Sequence, residues 1–343
     1  IFTNLSHDHL DYHKTFKDYL KSKLYLFEKL LENNGNLITD IEIPQYKKIK
    51  SIALRKKLNI ETISNNKSNL EVISHKYHNH EQIIRIKYNK NIYKFKTNLV
   101  GKIQIKNILM AIIAATKSNL NFKQIVNTIN KVKPVSGRLE PIGNIKNNSK
   151  VILDYAHTPD ALKICLLNLK EQFKDKTITI VFGCGGDRDK VKRSMMGKIA
   201  NDYCDRIYLT DDNPRNENPK KIRTAIKKSI KKLKVYEISD RSKAIQKAIF
   251  DLKIGDILVV AGKGHENIQH YGKVQKVFSD KEEILKTIKI KNKLLCNDFK
   301  LNILIELSGA KNTSKKSKIN NIIINSKEIK KNDVFFAIKG EKN

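Results

Sequence analysis

The chain has 343 residues, 40% of them hydrophobic, and its 68 Lys and Arg against 35 Asp and Glu give a formal net charge of +33. This length and apolar content allow two or three domains with their own cores and exclude an intrinsically disordered chain. No run approaches the ~20 apolar residues of a membrane-spanning helix, so we expect no membrane partner. The basic residues are spread over the whole length, which favours solvated lysine faces over a specific nucleic-acid site.

The cysteines bear on the cellular compartment, and the first residue bears on the extent of the chain. The four cysteines lie far apart and form no C-x-x-C pair, which is typical of free thiols in a reducing cytosol. We expect no signal peptide, and therefore a cytoplasmic protein. The chain begins with Ile rather than Met, and we therefore interpret it as a piece of a longer product.

The first part of the chain mixes helical and extended patterns. Apolar residues at helical spacing and alternating apolar residues distinguish the two. The patterns predict, in chain order, a polar, His-rich loop at 1–13, a helix with apolar residues from Phe16 to Leu31 that stops at Gly35, strands within 70–76 and 82–96, helices near 105–118 and 122–131, and a linker at Pro134–Arg138.

From residue 150 short apolar strands alternate with helical segments. This alternation predicts an α/β fold with a mostly parallel, doubly wound sheet. Glycine-rich and charged motifs follow directly after the strands, where open α/β sheets bind their ligands. The predicted strands are 151–154, 177–183, 206–210, 234–237 and 256–261, and the predicted helices are 159–173, 191–203, 218–231, 241–252 and 280–290.

Three of these motifs carry most of the chemistry: Gly183–Asp189, Asp211–Arg215 and Ala261–Glu266. They place guanidinium groups, carboxylates and an amide on separate loops, as a zwitterionic amino acid requires. The glycines of the first motif do not have the G-x-G-x-x-G spacing of a dinucleotide fingerprint. The motifs therefore predict an amino-acid site.

In this order the motifs resemble those of the Mur ligases of peptidoglycan synthesis. The Asp-Asn-Pro-Arg run at Asp212–Arg215 is the form found in members that add meso-diaminopimelate, and Thr3–His13 resembles the motif of the central domain. The resemblance implies a central, ATP-binding domain over 1–136, without its phosphate-binding loop, and a Rossmann-like, amino-acid-binding C-terminal domain over 137–290. The segment Asn325–Glu341 resembles the N-terminal domain of the Mur ligase that adds D-alanyl-D-alanine, with Asn325 and Lys327 in place of the usual Asp and Arg. Residues 291–343 therefore imply a fused pair of ligases.

The resemblance also implies the reaction. A Mur ligase of this type would use ATP and Mg²⁺ to join meso-diaminopimelate to UDP-N-acetylmuramoyl-L-alanyl-D-glutamate through an acyl phosphate, and the family suggests a monomer. The G-x-x-G-K-[ST] loop that holds phosphates is expected upstream of residue 1. We therefore predict that the 343 residues alone do not turn over ATP, whereas the intact product does.

The resemblance assigns roles to individual residues. His9 would bind Mg²⁺, and Lys23 would be carbamylated to help position the metal. Four residues would contact ATP: Asn107, Arg138, Asp154 and His157. Six residues would bind diaminopimelate: Arg188, Asp212, Asn213, Arg215, Gly262 and Glu266.

Simpler interpretations stand beside these roles. Lys23 could be an ordinary exposed lysine, and Asp154–Pro159 could be a helix cap with Pro in the first turn. Two functional alternatives also remain open. One is another ligase of the same fold, lysine-adding or folylpolyglutamate-like, and the other is a non-catalytic basic fragment that binds nucleic acid.

Overall fold

The computed structural model describes residues 1–5, 10–295, 322–323, 329–330 and 333–335. Two sheets lie on either side of the predicted linker. The N-terminal sheet has the order β1-β2-β3-β4-β5, in which β1, β2 and β3 pair in parallel and β3, β4 and β5 pair antiparallel. Its strands are β1 (Asn36–Asp40), β2 (Asn59–Ser64), β3 (Leu70–His78), β4 (Glu81–Tyr88) and β5 (Asn91–Thr97).

Helices cover both faces of the N-terminal sheet because successive strand residues point to opposite sides. In β1, Leu37 packs in the core formed with α2 and α3, whereas Ile38 packs in the core formed with α4 and α5. The helices are α1 (Leu10–His13), α2 (Phe16–Tyr25), α3 (Tyr46–Arg55), α4 (Lys102–Lys117) and α5 (Phe122–Thr128). The first predicted helix is interrupted, since α2 ends at Tyr25 and a π-helical turn follows at Leu26–Leu30.

The C-terminal sheet has the order β10-β9-β8-β11-β7-β6. All neighbouring strands are parallel except β6, which pairs antiparallel with β7. The predicted doubly wound sheet is thus confirmed. Its strands are β6 (Glu140–Pro141), β7 (Lys150–Asp154), β8 (Ile178–Phe182), β9 (Arg206–Leu209), β10 (Val235–Glu237) and β11 (Ile257–Ala261).

Helices again cover both faces, and a short hairpin follows β11. Ile180 and Val181 of β8 illustrate the arrangement, since they belong to cores on opposite sides of the sheet. The helices are α6 (Pro159–Gln172), α7 (Val191–Tyr203), α8 (Pro219–Lys227), α9 (Arg241–Phe250) and α10 (Asp280–Leu294), and the hairpin strands are β12 (Ile268–Tyr271) and β13 (Val274–Val277).

Two buried amides of α6 join the halves. The backbone N–H of Gly101 donates to Oε1 of Gln172 at 2.7 Å, and that of Ile103 donates to Oδ1 of Asn168 at 3.0 Å. These side chains satisfy N–H groups at the start of α4, which helix geometry leaves without intrahelical partners. The start of α4 is therefore held against the C-terminal half.

Beyond α10, the described residues include one short parallel pair, Ile322–Ile323 with Val334–Phe335. The predicted boundaries at 136/137 and 290/291, and the second ligase over 291–343, stay predictions. Within the described part of the chain, no helix is both long and apolar enough to cross a membrane.

Candidate active site

The loops at the carboxyl edge of the C-terminal sheet form the candidate site. Parallel strands end at the same edge, so the loops after β7, β8, β9 and β11 meet there. These loops contain the three charged motifs and the Asp154–Pro159 segment.

Asn213, Lys263 and Glu266 form a hydrogen-bonded cluster between the loops after β9 and β11. Nδ2 of Asn213 donates to Oε2 of Glu266 at 3.1 Å, while Nζ of Lys263 donates to the same oxygen and to Oδ1 of Asn213, each at 3.2 Å. Lys263 is fully buried and also donates to the carbonyl of Ile268 at 2.5 Å. A buried lysine thus fixes the amide and the carboxylate predicted to bind the amino acid.

The cluster favours the ionised form of Glu266. Burial alone would raise the pKa of this carboxyl, but the charge of Lys263 and hydrogen bonds from Lys263, Asn213 and Tyr155 hold the pKa below its usual range. The hydroxyl of Tyr155 supplies its bond to Oε1 at 3.2 Å. Glu266 is therefore an anion at neutral pH and suits a ligand ammonium group.

Asp212 lies against Gly262, which directly precedes Lys263 in the loop after β11. It is 8% exposed, and a Cβ placed on Gly262 would lie 2.6 Å from its Oδ2 atom. Gly262 has a φ of +115°, a conformation that side chains disfavour. Glycine at this position thus permits both the turn after β11 and the close approach of Asp212.

Arg241 is the cation nearest to Asp212, and it is completely enclosed. Its Nε and Nη2 atoms each donate to a carboxylate oxygen of Asp280 at 2.7 Å, and Nη2 also donates to the carbonyl of Ala261 at 2.9 Å. Its Nη1 atom lies 3.8 Å from Oδ2 of Asp212. One guanidinium therefore contacts α10, the end of β11 and the loop after β9.

The loops after β8 and β9 pack directly on each other. The N–H of Gly186 donates to the carbonyl of Asn213 at 2.9 Å, and Nη1 of Arg215 donates to the carbonyl of Gly186 at 2.7 Å. A Cβ on Gly186 would lie 1.8 Å from the carbonyl oxygen of Pro214. The glycines thus allow contact between two loops, and Arg188 is exposed on the first of them.

A buried arginine, Arg193, forms hydrogen bonds with residues in and beside these two loops. Arg193 of α7 is 4% exposed and donates to both carboxylate oxygens of Glu217, at 3.0 and 2.8 Å. Its Nη2 atom also donates to the carbonyl of Gly185 at 3.3 Å. The hydrogen bonds from Arg193 are the main reason that the pKa of Glu217 falls to about 2.

The residues predicted to contact ATP form a second group around Tyr155. Asp154 accepts hydrogen bonds from the N–H groups of Leu139 at 2.7 Å and Ala156 at 2.8 Å, and burial raises its pKa. The guanidinium of Arg138 lies 4.6 Å from the centre of the Tyr155 ring, and the His157 ring lies 4.6 Å from it in edge contact. The structure thus brings Arg138, Asp154 and His157 together.

The predicted residues of the N-terminal half are more scattered. Asn107 is exposed on α4, one helical turn after Gln104, and Gln104 donates to the carbonyl of Arg138 at 3.1 Å. Lys23 lies on α2 with its Nζ atom 5.1 Å from the centre of the Tyr19 ring. His9, the predicted magnesium ligand, lies outside the described residues.

The described residues do not supply a magnesium site by themselves. Among residues 1–5, 10–295 and the short segments beyond them, no three His, Cys, Asp or Glu side chains cluster so as to hold a metal ion. The magnesium assignment therefore rests on the resemblance at His9.

Three contributors to the site are visible only in the structure: Lys263, Tyr155 and Arg241. Lys263 and Tyr155 lie inside motifs that the sequence singles out, but their contacts with Asn213 and Glu266 do not follow from those motifs. Arg241 begins a helix far from those motifs. Its sequence signal is weak, because a charged residue at a helix start is usually exposed.

Comparison with known families matches both halves. The model for the Mur ligase middle domain matches residues 1–115, and that for the Mur ligase glutamate ligase domain matches residues 137–264. The two matched segments correspond to the two sheets described above.

Curated relatives agree with this assignment. A protein of Rickettsia montanensis named UDP-N-acetylmuramoyl-L-alanyl-D-glutamate--2,6-diaminopimelate ligase is 40% identical over 290 residues, covering 84% of this chain and 60% of the relative. A protein of the same name from Agrobacterium fabrum is 37% identical over 283 residues, covering 82% and 57%. The chain thus spans about three fifths of the length of these relatives.

Solved structures share the fold. A ligase structure of the same name matches with a TM-score of 0.59 and 31% identity, covering 83% of this chain and 59% of the other. The Thermotoga maritima MurF ligase in complex with ADP matches with a TM-score of 0.64 over 86% of this chain and 62% of its own, and its 15% identity shows a common fold alone. The chain therefore belongs to the Mur ligase family and carries its middle and glutamate ligase domains.

Proposed function

We propose that this chain is the middle and C-terminal part of an ATP-dependent ligase that adds meso-diaminopimelate to UDP-N-acetylmuramoyl-L-alanyl-D-glutamate in the cytoplasm. The observation that carries the proposal is the arrangement around Glu266. An ionised carboxylate lies beside a buried amide and lysine, and the loop that supplies the amide also supplies Arg215. The names of the relatives with 37–41% identity support the same substrate.

Diaminopimelate explains the separation of charges. It has an amino-acid head at each end, so its site needs anions for ammonium groups and cations for carboxylates. We assign Glu266, with Asp212 and Gly262, to an ammonium end, and Arg188, Asn213 and Arg215 to the carboxylates. Lysine lacks the distal carboxylate, and an unpaired guanidinium in a closed site would disfavour it.

The proposed chemistry is amide formation through an acyl phosphate. The D-glutamyl carboxylate attacks the γ-phosphate of ATP and releases ADP, and the amine of diaminopimelate then displaces phosphate from the acyl group. The guanidinium of Arg138, with His157 beside it, would stabilise phosphate charge, and Asn107 would contact the adenine. His9 and a carbamylated Lys23 would hold a magnesium ion, which would neutralise further phosphate charge.

Calorimetric titration of the 343-residue chain with meso-diaminopimelate and with L-lysine tests the substrate. We expect diaminopimelate to bind at least tenfold more tightly. The variant Arg215→Gln should weaken diaminopimelate binding by about tenfold or more, because a charge-assisted pair is lost. It should leave lysine binding within twofold. Arg55→Gln, at an exposed position 66% accessible, is the matched control and should change neither affinity.

Other outcomes separate the alternatives. Equal binding of lysine would indicate a lysine-adding ligase, and binding of glutamate in place of both would indicate a folylpolyglutamate-type enzyme. Binding of no amino acid, together with a steeply salt-dependent association with RNA, would support the basic-fragment alternative.

A further inference from the structure

Tyr155 contacts both predicted halves of the candidate site. It follows β7 directly, is partly buried, and has one ring and one hydroxyl that face different partners. The ring contacts Arg138 of the linker, and the hydroxyl contacts Glu266 of the loop after β11. Among the described residues, Tyr155 is the one that contacts both.

The ring positions the guanidinium of Arg138. The Cζ atom of Arg138 lies 4.6 Å from the ring centroid, within the range of a cation–π contact. The backbone of Arg138 is held from the other half, because Nε2 of Gln104 donates to its carbonyl at 3.1 Å. Arg138 is exposed, so the Tyr155 ring places its side chain and Gln104 places its backbone.

The hydroxyl positions the carboxylate of Glu266. It donates to Oε1 at 3.2 Å, whereas Asn213 and Lys263 both donate to Oε2. Oε1 thus has Tyr155 as its one hydrogen-bond donor among the described residues. Loss of the hydroxyl would leave the plane of the carboxylate fixed at one oxygen only.

The two loops also touch through glycines. A Cβ on Gly137 would lie 2.6 Å from the backbone nitrogen of His265 and 2.8 Å from Cα of Gly264, and a Cβ on Gly264 would lie 2.8 Å from Cβ of Tyr155. Backbone contact this close transmits displacement, because packed atoms cannot overlap. The linker and the loop that carries Glu266 are therefore in direct backbone contact beside Tyr155.

We propose that Tyr155 is a positioning residue that couples occupation of the amino-acid site at Glu266 to the placement of Arg138. This inference rests on the proposed function, since it assigns Glu266 to the amino acid and Arg138 to the nucleotide. An amino acid bound at Glu266 would fix the carboxylate and, through its hydrogen bond with the Tyr155 hydroxyl, the orientation of the Tyr155 ring. The ring would in turn hold the guanidinium of Arg138 in place. The hydroxyl and the ring have separable roles.

Two variants separate these roles on the 343-residue chain. Tyr155→Phe removes the hydroxyl and keeps the ring, and Tyr155→Leu removes both. Calorimetry measures the affinity for meso-diaminopimelate, and hydrogen exchange measured by mass spectrometry reports on the linker over residues 132–142. Tyr236→Phe is the control, because Tyr236 stacks on Tyr208 away from the site. Thermal melting confirms that each variant is folded.

In the wild-type chain, saturating diaminopimelate should slow exchange of the linker at least threefold. Tyr155→Phe should weaken diaminopimelate binding about tenfold, as expected for a lost hydrogen bond to a charged group. Its free linker should exchange as in wild type, but saturating ligand should no longer slow it. Tyr155→Leu should show faster linker exchange even without ligand. If Tyr155→Leu does not fold, Tyr155→Phe alone decides.

The proposal is overturned if Tyr155→Phe keeps both wild-type affinity, within twofold, and the linker response. It is also overturned if the variant loses affinity but its linker still responds at saturation, because the hydroxyl would then act on the amino acid alone. A wild-type chain that binds no diaminopimelate overturns the proposed function together with this coupling, and that result is recognised before any variant is compared.

Discussion

Oδ2 of Asp212 and Nη1 of Arg241 face each other at 3.8 Å, and among the described residues neither atom has a hydrogen-bond partner. Both atoms are buried. The guanidinium of Arg241 thus balances the charge of Asp212 without a hydrogen bond between them. The other two nitrogens of Arg241 donate hydrogen bonds to Asp280 and Ala261. The candidate amino-acid site consequently stands on a buried network of three charges.

Removal of Arg241 should strongly destabilise the C-terminal half. Arg241→Met leaves Asp280, which is 0% exposed, without its cation, and breaking a buried pair in this way costs about 3–5 kcal/mol. Arg241→Lys keeps the charge but not the planar fork, so we expect an intermediate loss. Urea denaturation at neutral pH measures the free energy of unfolding.

The control for this experiment is Arg55→Met. Arg55 pairs with Glu28 at 3.6 Å, and its side chain is 66% exposed, so its loss should cost under about 1 kcal/mol. Equal small losses at positions 241 and 55 would mean that the Asp280 carboxylate finds compensation that the structure does not show.

The pair of Glu217 and Arg193 should make stability depend on pH in the acid range. Since the pKa of Glu217 is lowered from 4.5 to about 2 in the folded chain, the stabilisation is fully present above pH 4.5 and is lost as the pH falls through about 2. Glu217→Gln should therefore be less stable than wild type at pH 7, with a difference that shrinks steadily below pH 4.5.

Denaturation curves at pH 7, 4.5, 3 and 2 measure this difference. The control Glu32→Gln alters an exposed carboxylate and should follow the wild-type curve throughout. A difference for Glu217→Gln that is constant with pH would show that the ion pair does not cause it.

Replacement of Lys263 should impair ligand binding more than an exposed lysine would. In Lys263→Met, Glu266 loses its nearest cation, so its pKa should rise. The ionised carboxylate is the form that binds an ammonium group. As the pH is lowered, diaminopimelate affinity should therefore begin to fall at a higher pH in the variant than in wild type. At pH 7 we expect at least a tenfold loss, because a hydrogen-bonded charge is removed from the interior.

Titration calorimetry between pH 4.5 and 8 measures the affinity. Lys243→Met, which alters an exposed lysine of α9, should leave both the affinity and its pH dependence unchanged. A parallel loss of affinity at all pH values in Lys263→Met would indicate a steric effect without a change in the ionisation of Glu266.

The C-terminal half was more predictable than the N-terminal half. Strands such as Ile257–Ala261 are buried on both faces, so they form unbroken apolar runs between helices. By contrast, β1, α3 and β2 went unpredicted. The helix Tyr46–Arg55 has Ile49, Ile52 and Ala53 at helical spacing, but its many lysines obscure the pattern.

The candidate site was predictable in its loops and unpredictable in its contacts. Asn213 and Glu266 were assigned to the candidate site because their motifs resemble those of a family. The bond from Lys263 to Asn213 joins residues 50 positions apart, and such a partner follows from strand order rather than from local sequence. The same holds for Arg241, whose burial depends on the packing of α9 against α10.

The close packing of Gly186 against Pro214 has a consequence for the redesign of amino-acid selectivity. Neither the loop Gly183–Asp189 nor the loop Asp211–Arg215 can adopt a new shape without displacing the other, since a single added methyl group at Gly186 has no room. Selectivity is thus a joint property of two chain segments that would have to be transplanted as a pair. A chimera that receives one loop from a lysine-adding relative and keeps the other would inherit a mismatch, whichever loop is chosen.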